Sequence, residues 1–298
     1  MVEKNTINSL YLSPGKKARL YNLFYKNGPK NGTIMILPID QGIEHGPVDF
    51  FVNPDAEHPN FQFELAIQGG FSAIATHIGL AEKYYPFYAG KIPLVLKLNG
   101  RSNIPSNDNA FSSCTASVAD AVRLGAEAVG YTLFVGSPRQ DDDIAQLSQI
   151  REECDEFGMP LIVWAYPRGS AIEKQGGIDT LYAVDYAARL AQELGADIVK
   201  VNFPQPVNKL CPDTYIKETS EWDLSKRIEK VAKSSGRTFL IFSGGSKVSE
   251  EELLQKVRIS LENGGVGVIF GRNLWQRPFD EAVALSHKIK NLLLEFPR

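Results

Sequence analysis

The chain has 298 residues, 43% hydrophobic and 22% charged, with a formal net charge of −3 and an isoelectric point near 5.9. This is ordinary for a globular enzyme, argues against a dedicated nucleic-acid binder, and comes with no stretch long enough to span a membrane. Cys114, Cys154 and Cys211 form no CxxC pair and are too few and scattered for a disulfide framework or a cysteine-rich zinc site; with no apolar leader core at the start, a reducing cytoplasm is expected.

Residues 1–32 read as an N-terminal extension with a helix around 16–25. Short apolar runs then follow at 33–40, 72–76, 93–98, 126–133, 161–166, 196–201, 238–243 and 266–270. Several are continuous rather than alternating, as expected of strands covered on both faces. Segments of helical character lie between them: 61–69, 117–124, 141–157, 181–194, 224–234 and 250–263, with a last one at 279–295. The link 82–91 is aromatic and less clearly helical. Gly125, Gly158, Gly195, Gly236 and Gly264 stand at helix ends, where a left-handed cap residue is wanted. Eight strands alternating with helices predict a (β/α)8 barrel with an N-terminal helical extension, 1–298 forming a single domain. A doubly wound open sheet is the other arrangement compatible with this order. The loops 41–60, 99–114, 167–180 and 202–223 are long, and long loops of this kind carry function.

Strand alternation selects the residues that face a barrel lumen. Ile36, Pro38 and Asp40 share a face of the first strand, Val95 and Lys97 of the third, Trp164 and Tyr166 of the fifth, and Ile198 and Lys200 of the sixth. The strand C-termini form the active-site mouth of such a barrel. A strand-end lysine with a partly desolvated amine loses its proton near neutral pH and can attack a ketone to give a Schiff base. Taken singly, each residue has a structural reading: Lys200 solvated, Trp164 in the core, Asp40 a helix cap, Lys97 a barrel ion pair. Their joint placement at strand ends favours a site.

The seventh and eighth strands end in Ser243-Gly244-Gly245-Ser246-Lys247 and Gly271-Arg272-Asn273. Glycines let backbone amides approach an anion, these two strand ends commonly hold phosphate, and Arg272 adds a bidentate cation. The four histidines, His45, His58, His77 and His287, show no HxxH or HExxH spacing, so neither a metal nor another cofactor is expected. Neither GxxxxGK[ST] nor GxSxG occurs.

LPIDQGIEHGP at 37–47, VWAYPRG at 163–169, ADIVK at 196–200, SGG at 243–245 and GRN at 271–273 resemble the archaeal-type class I fructose-bisphosphate aldolases, a metal-independent Schiff-base group. The likeness runs from about residue 15 to the C-terminus. It implies Lys200 as the Schiff-base lysine, Tyr166 as the proton-transfer residue, and Asp40 and Trp164 in the active site. A substrate phosphate would be held by Ser243, Gly244, Gly245, Gly271 and Arg272, with Lys97 on the binding side. The implied reaction is reversible cleavage of fructose 1,6-bisphosphate, a step of glycolysis and gluconeogenesis, by a cytoplasmic homo-oligomer such as a decamer built of pentamers. Gln41 departs from the pattern, since many relatives carry histidine there. Sister enzymes of the superfamily make other aldol or thiolase-type products, so another phosphorylated ketose is the alternative substrate. A metal-dependent aldolase or isomerase and a non-catalytic sugar-phosphate binder are the alternatives outside that chemistry.

Overall fold

The computed structural model describes residues 5–245 and 248–298; Ser246 and Lys247 of the glycine-rich motif lie outside the described residues. Eight strands form the barrel: β1 Ile34–Pro38, β2 Ala73–His77, β3 Leu94–Lys97, β4 Ala128–Val135, β5 Leu161–Pro167, β6 Ile198–Val201, β7 Phe239–Ser243 and β8 Gly267–Ile269. Each pairs in parallel with its neighbours in chain order, and β8 closes on β1. The closure settles the architecture in favour of the (β/α)8 barrel over the open sheet.

Helices follow the strands in turn: Pro59–Gln68, Ile78–Tyr84, Val118–Arg123, Gln140–Phe157, Leu181–Glu193, Leu224–Ser235, Glu250–Glu262 and Phe279–Leu294. Capping starts several of them. Asp223 and Ser249 accept from backbone amides three residues on, and Ser117 with Asp120 forms a reciprocal capping box. All five glycines expected at helix ends have positive φ, from 53° at Gly236 to 110° at Gly264. The aromatic link after β2 begins as a helix at Ile78 and tightens into a 3-10 turn, Tyr85–Phe87, at a proline. Among the described residues no helix is long and apolar enough to cross a membrane.

The strands are buried on both faces, which is why their runs are continuous. One core lies between strands and helices and includes Leu37, Leu96, Leu133, Val163 and Val199. The other fills the lumen with Ile36, Ala75, Val95, Ile162, Ile198 and Ile241. Successive luminal residues differ by two positions, so the alternation read from the sequence holds in the barrel. The N-terminal helix Pro14–Tyr21 starts at the Ser13 cap and runs into a π-helical turn, Asn22–Lys26. Leu20, Leu23 and Phe24 from this segment enter the luminal core, and the Phe24 ring lies 5.0 Å from that of Phe239. Burying each such side chain contributes roughly 1.5–3 kcal/mol. Lys16 fixes the segment by pairing with Asp155 at 2.7 Å and Asp197 at 3.0 Å. The N-terminal end of the barrel is thereby packed, and the chemistry-bearing side chains collect at the other end.

Candidate active site

The strand register assembles the centre of the mouth. Thr132 of β4 pairs with Trp164 of β5, and Trp164 pairs with Lys200 of β6. On the adjoining strands His77 pairs with Lys97, and Lys97 with Gly130. Gly130 is required by close approach: a Cβ there would fall 2.6 Å from the Trp164 ring and 3.0 Å from Lys97 Cδ. The missing side chain gives the indole its place in the lumen, with Trp164 only 1% exposed.

Two buried amines share that indole. Lys200 Nζ lies 5.0 Å from the Trp164 ring centroid and 5.2 Å from that of Tyr166. Lys97 Nζ lies 5.1 Å from the Trp164 centroid. Burial pushes the Lys200 amine down to about 8, with Arg272 and Arg168 adding to the shift while Asp40 and Glu44 oppose it. Burial likewise brings Lys97 to about 8, against Asp40 and with a contribution from Lys200. The cations that depress Lys200 are thus chiefly the two arginines. Asp40 is pushed up by burial, but Lys200, Lys97 and His77 outweigh this and hold its carboxyl below the usual range. Burial raises the Tyr166 phenol well above its ordinary value, and the Asp40 charge adds to the rise.

A cavity of about 300 Å³ opens over these groups. Asp40, Trp164, Tyr166, Lys200, Ser243, Gly244, Gly245, Gly271 and Arg272 all line it. Nine of the ten residues singled out in the sequence therefore converge on one space. The tenth, Lys97, expected on the binding side, does not line this cavity. It borders a smaller adjoining one with Asp40 and His77, and its Nζ donates to Thr132 Oγ1 at 2.6 Å, Asn99 Oδ1 at 3.1 Å and the Asn99 carbonyl at 3.2 Å. A lysine whose three N–H bonds go to protein acceptors is fixed in place.

The glycine loops meet the cavity as expected. Gly245 has φ +62° and open space where a Cβ would stand, while a Cβ on Gly271 would fall 2.8 Å from Gln41 Nε2 and 3.0 Å from the Pro38 carbonyl. The first therefore serves a turn and the second a close approach. Ser243 donates to Asn202 Oδ1, and Asn202 Nδ2 donates to Asp179 at 2.6 Å.

Further lining residues are Glu44, Thr132, Arg168, Asp179 and Asn202, none of them a candidate from the sequence, and His45, which the sequence raised only as a metal ligand. Thr132 and Asn202 continue the luminal alternation two residues from Gly130 and Lys200, so the period could have shown them. Glu44, His45 and Arg168 sit inside the quoted motifs. Asp179 had no such signal, being placed by its contact with Asn202. His45 Nδ1 donates to Asp49 Oδ2 at 2.6 Å. Among the described residues no three His, Cys, Asp or Glu side chains converge as a metal site would require.

Fold and site together define a (β/α)8 enzyme with a desolvated lysine at a strand end. A family model described as DeoC/LacD family aldolase matches residues 34–277. The chain is 38% identical over 261 residues to the class 1 fructose-bisphosphate aldolase of Thermoproteus tenax, covering 87% of this chain and 90% of that one. It is 34% identical to the enzyme of the same name from Halobacterium salinarum, over 83% of this chain and 86% of that one. Among solved structures, an archaeal fructose-1,6-bisphosphate aldolase with its catalytic lysine bound to a carbinolamine intermediate superposes with a TM-score of 0.79. It shares 35% identity with this chain, covering 92% of it and 99% of its own length. The chain belongs to the DeoC/LacD aldolase family, and it is a lyase of the Schiff-base aldolase type.

Proposed function

We propose that this enzyme reversibly cleaves fructose 1,6-bisphosphate to dihydroxyacetone phosphate and glyceraldehyde 3-phosphate through an imine on Lys200. The observation that carries the reading is the Lys200 amine, 4% exposed, depressed to about 8 and lining the cavity beside Asp40, Tyr166 and the two glycine loops. The names of the relatives support the substrate.

The neutral amine attacks the C2 ketone. One amine proton passes to the ketone oxygen through Asp40, giving the neutral carbinolamine; Asp40 then relays a proton taken up from solvent to that hydroxyl, which leaves as water. The resulting iminium accepts the electron pair of the C3–C4 bond, so the scheme uses no metal. The proton lost from the C4 hydroxyl passes through Tyr166 towards the Asp40 charge. The phenol, kept protonated by burial, then supplies a proton to the enamine carbon. Water hydrolyses the imine and frees Lys200. Trp164 shapes the floor of the site and shields the amine.

Ser243, Gly244, Gly245, Gly271 and Arg272 hold one phosphate. We further take 1–298 as a single domain, supported by the packing of Leu20, Leu23 and Phe24 under the barrel. A cytoplasmic homo-oligomer is proposed on the resemblance alone.

Arg272→Ala tests the substrate reading. The expected result is a raised KM for the bisphosphate, matching loss of about 2–3 kcal/mol from a charge-assisted contact. A ketose lacking that phosphate should be much less affected. Equal impairment on both would assign Arg272 to the barrel and leave the phosphate site without support.

A further inference from the structure

We propose that the enzyme has a second aldol activity: it adds dihydroxyacetone phosphate to uncharged aldoses of four or five carbons, whose tails it receives in a chamber beyond Arg168. This rests on the reading of Lys200 as the imine-forming amine, which supplies the enamine.

A cavity of about 480 Å³ adjoins the active-site cavity, and Glu44, His45 and Arg168 line both. Strand order sets the route between them. The glycine loops that hold phosphate stand at the ends of β7 and β8, Lys200 is on β6, and Tyr166 is on β5 with Arg168 just past it. The Arg168 guanidinium lies over the Tyr166 ring, 5.2 Å from its centroid. A carbon chain that starts at the glycine loops and passes Lys200 and Tyr166 therefore arrives at Arg168, where the chamber begins. Three of the long loops wall it. The Asn103 amide donates to the Glu44 carbonyl at 2.8 Å, which draws the 99–114 loop to the 41–60 loop. At Gly169, with φ +98°, a Cβ would stand 3.6 Å from the Asn107 carbonyl oxygen, so the 167–180 loop meets the 99–114 loop as well.

The chamber differs from the glycine loops in charge. Beyond the shared residues its walls carry Asn103, Asn107, Asp108, Ser170 and Glu173, with Ile178 as an apolar side. Arg168 is its one lysine or arginine among the described residues, and it lies 4.0 Å from the Glu44 carboxylate. That threshold cation suits the second phosphate of the bisphosphate. A phosphate carried further would face Asp108 and Glu173 with no cation to offset them. Hydroxyls suit these walls, because carboxylate and amide oxygens accept from them and amide nitrogens donate to them. In the reaction the C=C electron pair of the enamine on Lys200 attacks the aldehyde carbon of the aldose, which forms the new C–C bond and leaves the nitrogen as an iminium. The aldehyde oxygen takes a proton through Tyr166 and becomes a hydroxyl. Water hydrolyses the iminium, which returns that proton and frees Lys200. Nothing is oxidised or reduced, and the product is a ketose 1-phosphate three carbons longer than the aldose.

The test is the rate at which the wild-type enzyme condenses dihydroxyacetone phosphate with D-glyceraldehyde, D-erythrose and D-erythrose 4-phosphate, compared per free aldehyde. By this route glyceraldehyde ends at the threshold and erythrose passes it by one hydroxylated carbon. Erythrose should exceed glyceraldehyde in kcat/KM by roughly tenfold, the scale of one hydrogen bond to a charged group. Its 4-phosphate should be used less well than erythrose itself. Ile178→Trp fills the chamber and should erase the advantage of erythrose while leaving glyceraldehyde unchanged. Ser170→Trp narrows it from another wall and serves if Ile178→Trp fails to fold. Erythrose no better than glyceraldehyde in the wild type, better use of the 4-phosphate, or an advantage that survives in the folded tryptophan variants would overturn the role of the chamber. Failure of dihydroxyacetone phosphate alone to give a borohydride-trapped adduct on Lys200 would instead overturn the underlying reading, and peptide mapping settles that before any aldose is added.

Discussion

Lys200→Met is expected to lower kcat for cleavage by roughly 10⁵–10⁶, the scale on which removal of a covalent nucleophile acts. Methionine keeps an unbranched apolar stem beside the Trp164 and Tyr166 rings, so the barrel should fold and bind phosphorylated ligand with little change. The sign of the pH dependence in the intact enzyme follows from the same amine. With its pKa lowered to about 8, about a tenth of the molecules carry a neutral Lys200 at pH 7. An unperturbed lysine near 10.4 would leave only a few in ten thousand. Imine formation should therefore speed up as pH rises from 7 and level off once the amine is neutral. Steady-state cleavage assays and a thermal melt of the variant check this together. Turnover within tenfold of wild type, with the fold intact, would remove Lys200 from the chemistry.

The second large effect is expected at Tyr166. Tyr166→Phe retains the ring that packs beside Lys200 and removes only the phenolic oxygen. We expect kcat to fall by roughly 10²–10⁴, the range for a positioned general acid or base, with KM changed far less. Trapping at Lys200 should persist, because imine formation precedes the steps assigned to the phenol. Single-turnover kinetics separate the two stages. Near-normal turnover would reduce Tyr166 to a packing role.

Much of this architecture was legible in the residues because two-sided burial writes itself as uninterrupted apolar runs. The eight runs contain five of the barrel strands whole and all but the last one or two residues of the other three, and the period of two then assigned Asp40, Lys97, Trp164, Tyr166 and Lys200 to the lumen. Helix ends were readable where a glycine had to take positive φ, as at Gly195 and Gly264. Short elements were not readable. Gln41–His45 and Arg272–Trp275 span little more than a turn each, too few residues for an apolar stripe, and are set by the loops around them. The hairpin contact between Asn99–Gly100 and Ser113–Cys114 has only two residues a side.

The partners of Lys97 show where sequence reasoning runs out. Its position on the luminal face followed from alternation, but its acceptors, Asn99 just past β3 and Thr132 on β4, stand 33 residues apart in the chain. Only the strand register brings them together. The need for glycine at 130 is of the same kind: nothing local to that position asks for it, and the demand comes from the Trp164 ring on the next strand. Arg168 stands inside the 163–169 motif and Asn202 two residues past Lys200, so both lay within reach of the motif and the period.

The most direct test of the central claim is to incubate the wild-type enzyme with dihydroxyacetone phosphate, reduce with borohydride and map the modified peptide. The account predicts a single stoichiometric adduct on Lys200. An adduct on Lys97 with Lys200 unlabelled, or no adduct at all from active enzyme, would contradict it.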